Sequence, residues 1–89
     1  MRYNEGILRS LGFVLHDARQ VWIHRDRRKA FSHRALREHD PGWLNRKLAQ
    51  NVPEQEFRFY RHASDPPVCH EILGELGLGH LVAVERLDN

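Results

Sequence analysis

The sequence predicts a single α+β domain with a small, mainly antiparallel sheet of about four strands and three to four short helices. Three observations favour this class. Some segments alternate polar and apolar residues as strands do, and others repeat apolar residues at helical spacing. Turn and capping residues separate the segments. The 89 residues, 40% hydrophobic and 29% charged, suit one folded domain over residues 1–89 and argue against a disordered tail or a coiled coil.

Each helix of the first half follows a residue that caps helix N-termini. Asn4, Ser32 and Asp40 carry side-chain oxygens that accept hydrogen bonds from the first turn of a helix. In the first helix, Ile7, Leu8 and Leu11 are expected to pack inward. A fourth helix is expected after the Ser-Asp-Pro-Pro sequence in the second half. The helices are predicted over 4–10, 33–38, 41–50 and 66–77.

Short apolar or alternating segments predict the strands. Residues 13–16 and 21–25 form an expected hairpin, and the charged residues 26–29 follow as a loop tip. Phe57 and Phe59 are predicted to face inward from a half-buried strand. The last strand is the most apolar and is expected at the centre of the sheet. Strands are predicted at 13–16, 21–25, 56–61 and 80–84, with 30–31 as a further short candidate, and without it the order is α-β-β-α-α-β-α-β.

The net charge of +2 hides an uneven distribution. Residues 19–47 carry nine basic and three acidic side chains, a balance of +6, whereas residues 48–89 carry three basic and seven acidic ones, a balance of −4. Arginine outnumbers lysine twelve to two, and guanidinium groups make bidentate contacts to phosphate and guanine. This asymmetry predicts a polyanionic partner for the middle segment, or an acidic segment of another protein chain.

These charges predict a small, basic, non-enzymatic nucleic-acid-binding protein, with DNA favoured over RNA as the ligand. An arginine-rich hairpin tip and a helix pair would contact phosphates, and polar residues on the outer face of the second helix would reach base edges. The phosphate-contacting candidates are Arg25, Arg27, Arg28, Lys29, Arg34 and Arg37. The remaining binding candidates are Asn45, Arg46, Lys47 and Gln50.

A second hypothesis is a protein-interaction subunit or antitoxin-like partner that forms a homodimer. Strand alternation places Trp22 on the face opposite Val21 and Ile23, and Tyr60 on the face opposite the inward phenylalanines. An exposed pair of such aromatic residues is typical of an interface centre. Trp22 and Tyr60 are therefore the predicted interface residues, and the +6 and −4 segments would pair between chains.

Residues 4–50 also resemble, in their order of elements, the small bacterial HicA-type toxins. These are ribonucleases with a fold like that of double-stranded RNA-binding domains, in which a Gly-Ser-His segment opens the second strand and supplies the catalytic histidine. Here that place is taken by Arg19-Gln20-Val21-Trp22, so the resemblance implies the fold without its catalytic histidine. A small ribonuclease that depends on His24 and His33 is the third hypothesis.

No sequence motif predicts a cofactor, a metal site or a set of catalytic residues. The seven histidines show neither HxxxH nor HExxH spacing, and the chain has no CxxC pair. Cys69 is the single cysteine, so no intramolecular disulfide is expected, and the cytoplasm is the expected compartment. Its neighbours His70 and Glu71 point in different directions from a helix and cannot form a relay with it. No membrane association is expected.

Overall fold

The computed structural model describes residues 4–16, 20–62, 74 and the backbone of 81–86. The order of elements is α1 (Glu5–Ser10), β1 (Val14–His16), β2 (Val21–His24), β3 (Lys29–Ser32), α2 (His33–Glu38), α3 (Pro41–Ala49), β4 (Glu56–Arg61) and β5 (Leu81–Arg86). The predicted α+β class is confirmed. The predicted turn at 17–19 and the sequence Cys69-His70-Glu71 lie outside the described residues. So does the predicted helix over 66–77, apart from Gly74, which is helical.

All three predicted caps are present. The side chain of Asn4 accepts a hydrogen bond from the Ile7 N–H at 2.8 Å, and Asp40 accepts one from the Trp43 N–H at 2.8 Å. Ser32 accepts one from the Ala35 N–H at 3.1 Å. These bonds satisfy N–H groups that a helix leaves unpaired in its first turn, and they fix where α1, α2 and α3 begin.

The sheet has five strands in the order β1-β2-β3-β4-β5. The first two pairs are antiparallel and the last two are parallel, so the sheet is mixed. The additional strand is β3: the short strand that was a further candidate at 30–31 is observed as Lys29–Ser32. The chain leaves β3, runs through α2 and α3, and returns as β4 parallel to β3. The last strand was expected at the centre of the sheet, but β5 lies at its edge.

Both faces of the central sheet are buried. On one face, Trp22, Phe31 and Tyr60 pack with residues of all three described helices, and the rings of Phe31 and Tyr60 stack with centroids 4.6 Å apart. On the other face Phe57 and Phe59 are buried, as predicted. Trp22 and Tyr60 lie on the same face of the sheet, opposite Phe57 and Phe59, as strand alternation predicted. However, that face is covered by helices, so their prediction as exposed interface residues is wrong: Trp22 is 2% exposed and Tyr60 is fully buried.

The first helix packs through one of its three predicted core residues. Leu8 is fully buried, whereas Ile7 is 45% exposed and Leu11 is 41% exposed. The helix has only six residues, and the turn at Gly12 directs the chain into Phe13, which is buried in the core cluster. One apolar side of α1 therefore faces solvent.

Candidate functional site

The turn between β2 and β3 brings basic residues of two distant segments together. The Arg28 N–H donates to the Arg25 carbonyl at 3.0 Å, and Arg28 has a φ of 55°, which turns the chain sharply into β3. The parallel register places Lys29 beside Arg58 of β4, whose N–H donates to the Arg28 carbonyl at 2.9 Å. Arg58 thus lies next to the hairpin tip, although it follows Arg28 by thirty residues in the sequence.

Lys29 is a structural residue, and its prediction as a phosphate contact is wrong. It has no exposed surface, and its ammonium group donates to the carbonyl oxygens of Lys47, Leu48 and Gln50. The distance to the Leu48 oxygen is 3.0 Å. These carbonyls end α3, where a helix leaves four carbonyls unpaired and carries partial negative charge. The buried cation therefore fastens the C-terminus of α3 to the sheet.

Four cationic side chains of the described residues surround Lys29. Its pKa is lowered from 10.5 to about 8, first by burial and then by the charges of Arg27, Arg58, Arg28 and Lys47, in that order. Like charges raise the free energy of the ammonium form, and burial removes the water that would screen them. We call Arg27, Arg28, Lys47 and Arg58 the hairpin patch.

We expect the lowered pKa of Lys29 to appear in the pH dependence of stability. Between pH 8 and 10.5 the unfolded chain holds more protons than the folded one, so the free energy of unfolding rises with pH in this window. The contribution from pH 7.5 to 10 is about 2 kcal/mol. Because the chain has only two lysines, NMR of their side-chain methylene carbons reports each directly, and Lys47→Arg assigns the signals. A titration midpoint of Lys29 near pH 10.5 would contradict the lowered pKa.

The remaining members of the hairpin patch differ in exposure. Arg27 is exposed at the tip, and Arg28 and Arg58 are half-buried. Arg28 is anchored by a hydrogen bond from its guanidinium to the Val52 carbonyl. The Lys47 ammonium lies 6.0 Å from the centre of the Trp43 ring and 5.8 Å from that of Tyr60, so the aromatic core orients it. Most of the patch is therefore held in place by the fold.

The three predicted base-contacting residues lie at the C-terminal half of α3 and just after it. Asn45, Arg46 and Gln50 are all exposed. Gln50 also gives its backbone carbonyl to Lys29, so the end of α3 and the hairpin patch are adjacent. The Arg46 guanidinium, in contrast, lies near Gly42 in the first turn of α3.

The other predicted phosphate contacts lie elsewhere. Arg34 and Arg37 belong to α2, which begins where β3 ends, so the length of β3 separates them from the hairpin tip. Arg34 pairs with Glu38, with its Nε 3.0 Å from the carboxylate, and this hydrogen bond is the largest cause that lowers the Glu38 pKa. Arg25 lines a cavity beside β1. The basic residues from 25 to 46 thus do not form one continuous group.

His24 is a structural residue and cannot serve as the catalytic base of the ribonuclease hypothesis. Its Nδ1 lies 3.2 Å from the Arg27 N–H, which can only donate, so Nδ1 accepts. Its Nε2 then carries the proton and donates to the Leu11 carbonyl at 2.9 Å. Both ring nitrogens therefore connect the end of α1 to the hairpin turn. His33, the other proposed residue, is half-exposed at the start of α2.

A second polar cluster, which no sequence pattern predicted, forms where α2 and β4 end. Glu38 bridges Arg34 and His62, whose Nε2 lies 3.1 Å from the carboxylate. His39 stacks on Trp43 with ring centroids 4.0 Å apart, and its Nδ1 bonds to the Ala35 carbonyl at 2.8 Å. Within the described residues, no three His, Cys, Asp or Glu side chains are placed to hold a metal ion. The cluster ties α2 to the sheet.

Sequence reasoning placed Arg58 on a strand but not in the binding site. Its position depends on the parallel pairing of β3 and β4 across two intervening helices, and no local pattern encodes that pairing. The described part of the chain contains no helix with the length and hydropathy needed to cross a membrane. Comparison of the chain with protein-family models, with curated proteins and with solved structures found no match.

Proposed function

We propose that the protein binds the phosphate backbone of a nucleic acid, with duplex DNA as the primary ligand, through the hairpin patch. The proposal is supported by the concentration of cationic side chains from three elements around one buried lysine, whose ammonium form four described cations disfavour. Phosphates of a nucleic acid neutralise such a group and release condensed counterions.

The patch has an energetic cost that a purely structural role leaves unexplained. Arg27, Arg58, Arg28 and Lys47 each disfavour the charged form of Lys29, whose ammonium the three helix carbonyls need. A bound phosphate would relieve this repulsion, so ligand binding and the stability of the α3 terminus are coupled.

The adjacent face of α3 would supply contacts beyond the backbone. Asn45, Arg46 and Gln50 are side-chain types that reach base edges in a groove. Gln50 is exposed and its carbonyl bonds to Lys29, so a duplex held at the patch is within its reach. Asn45 and Arg46 are exposed farther along α3, and the Arg46 guanidinium lies near Gly42. Arg34 and Arg37, which lie at the other end of β3, are expected to contribute less to binding than the patch.

The first test is a fluorescence-anisotropy titration of a short DNA duplex at 50 and 200 mM salt. If four phosphates are neutralised, the affinity falls about 100-fold between the two conditions, because each contact contributes a slope of about −0.9. A single-stranded RNA of equal length serves as the second ligand. Weak binding that is unchanged between the two salt concentrations would exclude the proposal.

A charge-matched pair of variants tests the location. Arg27→Gln is expected to weaken DNA binding about five- to tenfold and to reduce the salt slope by about one, since one phosphate contact is lost. Arg37→Gln removes the same charge from another exposed position and is expected to change the affinity less than twofold. Equal effects of the two variants would mean that net charge alone, and not the hairpin patch, attracts DNA.

A further inference from the structure

The hydrogen bonds of Lys29 require its charged form. The side chain has no exposed surface, and its nitrogen donates to the carbonyl oxygens of Lys47, Leu48 and Gln50. Three acceptors need three N–H donors, and a lysine offers three only as the ammonium, because the neutral amine has two. Loss of the proton would therefore remove one of the bonds that hold the end of α3 to β3.

The hairpin patch surrounds the same ammonium group. Two members of the patch precede Lys29 in the turn, one is its cross-strand partner on β4 and one belongs to α3, in the order Arg27, Arg28, Arg58 and Lys47. The cross-strand partner on β2 is His24. Its ring is neutral, because one ring nitrogen accepts a backbone hydrogen bond and the other donates one. In the described part of the chain, the charges that act on Lys29 are thus those of the patch.

The carbonyls and the patch act on Lys29 in opposite directions. The end of α3 carries partial negative charge and favours the ammonium form. Burial, and then the charges of the patch, disfavour that form and lower the pKa of Lys29 from 10.5 to about 8. Both forms of the side chain are populated near this pH, so a change of charge in the patch changes the protonated fraction of Lys29.

We propose that nucleic-acid binding at the hairpin patch is coupled to the charge of Lys29, so that one proton is taken up when phosphates fill the patch. The inference rests on the proposed function and adds regulation of the same site by pH. A phosphate that pairs with Arg27 or Arg58 offsets the positive potential at Lys29, and the ammonium form becomes more stable in the complex. By linkage, the proton favours binding to the same extent.

The proton also affects the ligand contacts through the backbone. Two of the carbonyls that Lys29 holds belong to Lys47, a member of the patch, and to Gln50, a predicted base-contacting residue. With only two donors, the amine cannot hold all three carbonyls at the end of α3. Protonation of Lys29 therefore keeps these contacts in position, and this effect on binding has the same sign as the electrostatic one.

The affinity for a DNA duplex at pH 7.5 and 9.5, measured by fluorescence anisotropy at 50 mM salt, tests the coupling. The complex retains the Lys29 proton to a higher pH than the free protein does, so the affinity falls as the pH rises above about 8. We expect binding to be about fivefold weaker at pH 9.5. In this window ordinary histidines are largely neutral and arginines remain charged.

The salt dependence separates this inference from the proposed function. Salt-dependent binding of equal affinity at pH 7.5 and 9.5 would overturn the coupling and leave the proposed function intact. Binding that is weak and independent of salt at pH 7.5 would overturn the proposed function itself.

NMR of the side-chain methylene carbons of Lys29 identifies the titrating group in the intact protein. The midpoint near pH 8 in the free protein is expected to move towards 10.5 with a saturating duplex. Arg27→Gln removes a neighbouring cation and is expected to raise the midpoint of the free protein, whereas Arg37→Gln removes an exposed charge on α2 and should leave it unchanged. The same midpoint with and without DNA would overturn the proposal, and so would equal shifts in the two variants.

Discussion

Lys29→Met is expected to lower the free energy of unfolding by about 4 kcal/mol. Methionine has a similar length but no donor, so the carbonyls of Lys47, Leu48 and Gln50 lose a shared buried partner. The Lys47 carbonyl keeps its bond from the Gln50 N–H, so the carbonyls of Leu48 and Gln50 are the ones affected most. A carbonyl left without a partner costs about 1–3 kcal/mol, and removal of the like-charge repulsion at this site offsets part of the sum. Domains of this size have a total stability near the lower end of 5–15 kcal/mol, so the variant would be close to unfolding at room temperature.

The other lysine provides the control. Lys47→Met removes a half-exposed ammonium that lies about 6 Å from two aromatic rings, and such contacts contribute about 0.5–1 kcal/mol. Urea unfolding of the two variants and the wild type, followed by tryptophan fluorescence, gives both differences. If Lys29→Met were as stable as the wild type, the cation would not be what fastens α3 to the sheet.

His24 at the end of β2 and Lys29 at the start of β3 show what a sequence pattern does and does not determine. Local rules located the caps and the strands because a cap or an alternation involves neighbours in the chain. The same rules assigned Lys29 and His24 to function, although both bond to backbone groups of distant segments. Whether a polar side chain reaches solvent or a buried carbonyl depends on which elements cover it.

Trp22 and Tyr60 show the same limit of sequence patterns for aromatic residues. Alternation gave their face correctly, but exposure depends on whether helices cover that face, and here all three described helices contribute to the same core cluster. The packing of α1 also determines which apolar side chains stay exposed. Because α1 packs through Leu8, it leaves Ile7 and Leu11 outside the core.

Gly12→Ala is expected to lower the free energy of unfolding by about 3 kcal/mol. Gly12 has a φ of +102°, which side-chain-bearing residues rarely adopt, and this strain costs about 1 kcal/mol or more. In addition, the new Cβ would lie 2.8 Å from His24 Nε2 and push the ring away. The ring then loses its bonds to the Leu11 carbonyl and the Arg27 N–H, at about 1 kcal/mol each.

Two further variants separate these causes. Gly42→Ala adds a methyl group inside α3 at ordinary contact distances of 3.4 Å and is expected to leave stability unchanged or raise it by up to about 1 kcal/mol, since alanine is the better helix former. In a His24→Ala background, Gly12→Ala should cost only the backbone strain, because the ring it displaces is absent. If the cost of Gly12→Ala were the same with and without the imidazole, His24 would not be the group that requires glycine at position 12. The hydrogen bonds by which His24 joins the end of α1 to the hairpin turn would then not explain the backbone geometry of the turn.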